Sequence, residues 1–90
     1  MTQTEEEFDV SVLELLVDKK DLIIYNDDYN TFEHVIESLI KVCEHNPIQA
    51  EQCTYIIHHN GKCQVKRGEY ELLEPLCTAL LERGISAEIE

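Results

Sequence analysis

Three features of this 90-residue chain could do chemistry: the run Asn26-Asp27-Asp28, the pair His58-His59, and the cysteines Cys43, Cys53, Cys63 and Cys77. A Cys–His nucleophile and base is the first chemistry to test. Cys53 precedes His58 by five residues on what reads as one helix, which sets them roughly 140° apart around its axis and argues against direct proton transfer. The cysteines lie ten or more residues apart without a CxxC pair, which is poor zinc spacing, and in a reducing compartment they are expected to be free thiols that serve packing. His34 and His45 have no partner spacing that predicts a metal. Asn26-Asp27-Asp28 is not an EF-hand, because that loop needs a central glycine and none occurs before Gly61. No Gly-rich phosphate loop or Ser-centred elbow is present, and Ser11, Ser38 and Ser86 lack the Asp-Ser-Leu context of an acyl carrier. No catalytic residue, metal or cofactor is expected. Taken alone, Asn26-Asp27-Asp28 reads as a strand-to-helix turn and His58-His59 as surface imidazoles at a helix end.

The elements that must position these residues come from one small domain. A net charge of -12, from nineteen acids against seven Lys and Arg, opposes binding to nucleic-acid phosphates. No run approaches the ~18 apolar residues of a membrane span, and the N-terminus lacks a signal-peptide layout, so a cytoplasmic protein without membrane contact is expected. Residues 1–19 read as an N-terminal extension, acidic and mobile to about Asp9, with Val10 to Val17 apolar enough to dock.

Leu22-Ile23-Ile24-Tyr25 is rich in strand formers and stops at the Asn-Asp-Asp turn. Phe32, Val35, Ile36, Leu39, Ile40 and Cys43 then follow the helical period, with Asn30 and Glu33 spaced as a capping box, and predict a helix over 31–44. Asn46-Pro47 starts a second helix that buries Ala50, Cys53, Thr54 and Ile57 and stops at Gly61. Lys62 to Arg67 suits a strand between the glycines 61 and 68. A third helix is expected to begin between Glu69 and Leu73, with Pro75 at or near its first turn, and to end at Arg83. Ile85, Ala87 and Ile89 alternate as a half-buried strand. The order β-α-α-β-α-β predicts an α+β fold, a small antiparallel three-stranded sheet packed on three helices.

Tyr25-Asn-Asp-Asp-Tyr29, Phe32-Glu-His-Val-Ile36 opening a helix, and Ile57-His58-His59-Asn60-Gly61-Lys62 closing the next together resemble the ClpS adaptor family, whose pattern is N-D-D-Y-T-P-M-E-F-V followed by V-H-x-x-G-K. The resemblance covers about residues 20–90. It implies a non-catalytic adaptor that binds the free N-terminal residue of substrate proteins, a bulky hydrophobic N-degron, and delivers them to a Clp-type AAA+ unfoldase and protease. Asn26, Asp28 and His58 would then hold the substrate's α-amino group, which is mostly protonated below a pKa of ~8 and needs inward-facing acceptors. Thr31, Phe32, Val35, Thr54, Ile57 and Ile85 would line the pocket for the first side chain. Asn30-Thr31 replaces the family's Thr-Pro, Phe32 its pocket-guarding Met, and Thr54 a common Met. The implied partner is the N-terminal domain of the unfoldase, which binds around the start of the third helix, where Glu71 is the matching residue and Leu76 stands in place of a usual Lys. In the family the segment before the first strand enters the unfoldase, a part that would fall here to Met1 to Lys19. A monomer is expected. The reading from another class is a regulatory or scaffold domain that binds an internal peptide and ignores the free N-terminus.

Overall fold

The structure is a computed structural model and describes residues 18–90. The docking expected of Val10 to Val17 lies outside the described residues. Strand β1 (Lys19–Tyr25) leads to helices α1 (Phe32–Cys43) and α2 (Pro47–Asn60), strand β2 (Lys62–Glu69), helix α3 (Tyr70–Glu82) and strand β3 (Ala87–Ile89). The sheet order is β2-β1-β3 with both pairings antiparallel, as the order of elements predicts.

Strand β1 is central because Leu22 and Ile24 can be buried completely on the helix-facing side, while Asp21 on the other side accepts from the Gln64 amide at 2.8 Å and the Arg67 guanidinium at 2.9 Å. The pairing slips between Leu22 and Ile23: Leu22 faces Lys66 and Ile23 faces Gln64, so Val65 is the extra residue of a β-bulge. Val65 is buried, and its carbonyl oxygen is held by His45 Nε2 at 2.7 Å. A carbonyl only accepts, so Nε2 carries the hydrogen. Nδ1 is buried with no hydrogen-bond partner among the described residues.

Helix α1 buries Val35, Leu39 and Cys43 as its period predicts, and also Ser38. Ser38 Oγ donates to the His34 carbonyl at 2.7 Å and accepts from Arg83 Nε at 2.7 Å, so a polar side chain is satisfied against α3. The N-cap is Thr31, not Asn30: Thr31 Oγ1 accepts from the His34 N–H at 3.1 Å because the Asn30 side chain is engaged elsewhere. Helix α2 begins as expected, with Pro47 at its first turn and Asn46 Oδ1 accepting from the Gln49 N–H at 2.7 Å. It ends at Gly61, whose φ of 91° is the left-handed conformation glycine adopts without cost.

Strand β2 runs past its expected end, while α3 begins inside its expected range. Gly68 is not a turn; β2 runs on to Glu69 and α3 starts at the next residue. A Cβ on Gly68 would lie 2.9 Å from Leu72 Cδ2, so the glycine admits the first turn of α3 against the strand. Pro75 accordingly falls inside α3, in its second turn. It leaves the Glu71 carbonyl without its i+4 donor, a loss set against the burial of Leu73, Cys77 and Leu80 on the opposite face.

Candidate functional site

The last β1–β2 pair, Tyr25 with Lys62, brings the end of β1 to the end of α2, and the Asn26 N–H donates to the Gly61 carbonyl at 2.8 Å. Asn26 and the last turn of α2, which carries His58, are thereby neighbours although thirty-two positions separate them in the chain. The turn that follows is organised by Asp27. Its carboxylate accepts from the N–H groups of Tyr29 and Asn30 at 2.9 Å each and from Asn30 Nδ2 at 2.7 Å. Asn30 Nδ2 also donates to the Gly84 carbonyl at 2.9 Å, fastening the turn to the α3–β3 corner.

Partial burial alone would raise the Asp27 carboxyl, but the hydrogen bonds from Asn30 and Tyr29 outweigh it and hold the group below the usual carboxylate range. A depressed folded value stabilises the fold above the unfolded value of 3.8, and that contribution is lost as the pH falls through the lower folded value. Wild type should therefore melt higher than Asp27→Asn at neutral pH, and the gap should close below about pH 4. Thermal melts stepped through the acid range measure this; a gap unchanged down to about pH 2 would show that the shape of the side chain, not its charge, holds the turn.

A cavity of about 330 Å³ opens beside this turn, lined by Asn26, Asp27, Asp28, Asn30, Thr31, Phe32, Val35, Thr54, Ile57 and His58. Its size is at the small end of ligand pockets. Asn26, Asp28, Thr31 and His58 are exposed and form the mouth, whereas Val35, Thr54 and Ile57 are 8%, 3% and 4% exposed and form the base. Phe32 is fixed between them by edge-on packing, its ring centroid 5.2 Å from that of His58 and 5.3 Å from that of Tyr55. The Asp27 carboxylate is engaged by three hydrogen bonds within the turn. With other described residues, the side chains of Asn26, Asp28 and His58 make no hydrogen bond, which leaves their acceptors open at the mouth.

Eight of the nine residues expected at the site thus line one cavity. Ile85 is the exception: its N–H donates to the Leu80 carbonyl at 3.0 Å and its side chain, 2% exposed, belongs to the core and not to the cavity lining. Glu71 is exposed in the first turn of α3, away from the cavity. Sequence reasoning missed Asp27 and Asn30 as the pair that shapes the mouth; the signal available was that Asx side chains fold back on nearby N–H groups. Among the described residues no cluster of His, Cys, Asp and Glu has the geometry to hold a metal ion, and no helix is long and apolar enough to cross a membrane.

The fold has solved counterparts. The structure of Agrobacterium tumefaciens ClpS2 bound to L-phenylalaninamide is similar with a TM-score of 0.74 at 22% identity, over 80% of this chain and 94% of that one. A family model described as ATP-dependent Clp protease adaptor protein ClpS matches residues 7–88, and the chain belongs to that family. A curated relative, the ATP-dependent Clp protease adapter protein ClpS of Clostridium acetobutylicum, is 48% identical over 40 residues, a stretch covering 44% of this chain and 40% of the relative.

Proposed function

We propose that the protein is an adaptor that captures the free N-terminal residue of a substrate protein, with a bulky hydrophobic first side chain, and delivers it to a Clp-type AAA+ unfoldase. The observation that carries this reading is the cavity itself, with open acceptors at its mouth and hydrocarbon at its base. An α-ammonium offers three donors and a positive charge. The Asn26 carbonyl, the Asp28 carboxylate and an imidazole lone pair of His58 are suited to receive it, a known way of recognising a chain terminus. The first side chain then enters between α1 and α2 against Phe32, Val35, Thr54 and Ile57.

Burying that side chain contributes roughly 1.5–3 kcal/mol, and charge-assisted bonds to the amine about 1.5–3 kcal/mol each, before the cost of ordering the peptide. An affinity on the order of micromolar follows, which suits a complex that must release its cargo. The adaptor carries out no reaction of its own and acts as a cytoplasmic monomer. The unfoldase's N-terminal domain docks around the start of α3 near Glu71.

The test is a fluorescence-anisotropy titration of peptides beginning with Leu, Phe, Tyr, Trp, Val or Lys, each with a free and with an acetylated N-terminus. Bulky hydrophobic first residues should bind, and acetylation should abolish binding by removing the charge and two of the three donors. Equal binding of free and acetylated peptides would exclude amine capture and favour a domain that binds internal peptide segments.

A further inference from the structure

Thr54 places the one polar group among the base residues Val35, Thr54 and Ile57. It is 3% exposed, and its hydroxyl donates to the Ala50 carbonyl one turn earlier at 2.8 Å. The hydroxyl hydrogen is therefore committed, while the oxygen retains acceptor capacity that no other described residue uses. Because Thr54 is almost wholly buried and lines the cavity, a second partner for that oxygen would have to come from the cavity's occupant. The rest of the base is hydrocarbon, and Phe32, held edge-on by His58 and Tyr55, closes the rim. A wholly apolar side chain filling this space would cover the oxygen without pairing it. A ring that carries a donor would pair it.

We infer that Thr54 sets the ranking among substrates: the cavity prefers an N-terminal aromatic residue with a hydrogen-bond donor on its ring, the phenol O–H of tyrosine or the indole N–H of tryptophan, over phenylalanine or leucine. This rests on the capture of a free N-terminus proposed above and adds the class of first residue. Thr54 acts as a specificity residue through its oxygen. Its methyl group contributes to the base in the same way as its hydrocarbon neighbours.

The experiment compares peptides that differ only in their first residue. Tyrosine is paired with para-methylphenylalanine and tryptophan with benzothienylalanine, near-isosteres that lack the ring donor, and each peptide is titrated free and N-acetylated against wild type and Thr54→Val. At least one donor-bearing residue should bind wild type about threefold to tenfold more tightly than its isostere, the range of one neutral hydrogen bond. Thr54→Val, which keeps the shape and removes the hydroxyl, should bring that ratio to one while acetylation still abolishes binding. If neither pair differs in wild type, or if the advantage survives in Thr54→Val, the inference is overturned although amine capture stands. Indifference to acetylation would instead overturn the proposed function, and this inference with it. Should the valine variant not fold, the isostere ratios in wild type decide the matter alone.

Discussion

Replacing Asp28 by alanine is expected to weaken the binding of a Leu- or Phe-initiated peptide by at least about 1.5 kcal/mol, more than tenfold in Kd, with little change in stability. The contrast with its neighbour explains both halves of that result. Asp27 is spent on three hydrogen bonds within the turn, whereas Asp28 is exposed at the cavity mouth and makes none with other described residues. Removing Asp28 therefore deletes a charged acceptor without breaking the turn. Isothermal titration of the folded variant measures the loss. Unchanged affinity would move amine recognition to other groups, and a large fall in Tm would show that Asp28 is structural.

The second large effect concerns stability. Truncating His45 to alanine is expected to cost about 3 kcal/mol, because it strands the Val65 carbonyl at the bulge without a donor and leaves a cavity where a 5% exposed ring was. For a domain of this size each kcal/mol lowers Tm by about 4–8 °C, so a fall of more than 10 °C should be seen by calorimetry. A loss under about 1 kcal/mol would mean that water reaches the Val65 carbonyl once the ring is gone.

These two residues also mark what was legible beforehand. Helices α1 and α2 were visible because their signals are local: the period of Val35, Leu39 and Cys43, the Asn46-Pro47 start, and the stop at Gly61. The residues now lining the mouth and base were legible mainly through the spacing of Asn26, Asp28 and His58, which the resemblance turned into an expected site. Interactions decided across the fold were hidden. Asn30 has the right chemistry to cap α1, but its amide is claimed by Asp27 and by Gly84, fifty-four positions away, and the cap passes to Thr31. The structural part played by His45 had no signal, because nothing local announces the bulge twenty residues on. Pro75 sits in the second turn because α3 gains its first turn from close packing of Leu72 over Gly68, a contact with no sequence period. Ile85 alternates correctly with Ala87, yet it is buried in the core and is not among the residues that line the cavity.

Strand β1 separates two ends of the molecule. Its Lys19 end is paired with Glu69, one residue from α3, and its Tyr25 end delivers Asn26 to the cavity, roughly 20 Å along the strand. A machine seated near Glu71 would thus grip the pole opposite the one proposed to hold the captive terminus. Under the proposed function, loading and docking would then not compete for space, and cargo could arrive before or after the engine is engaged.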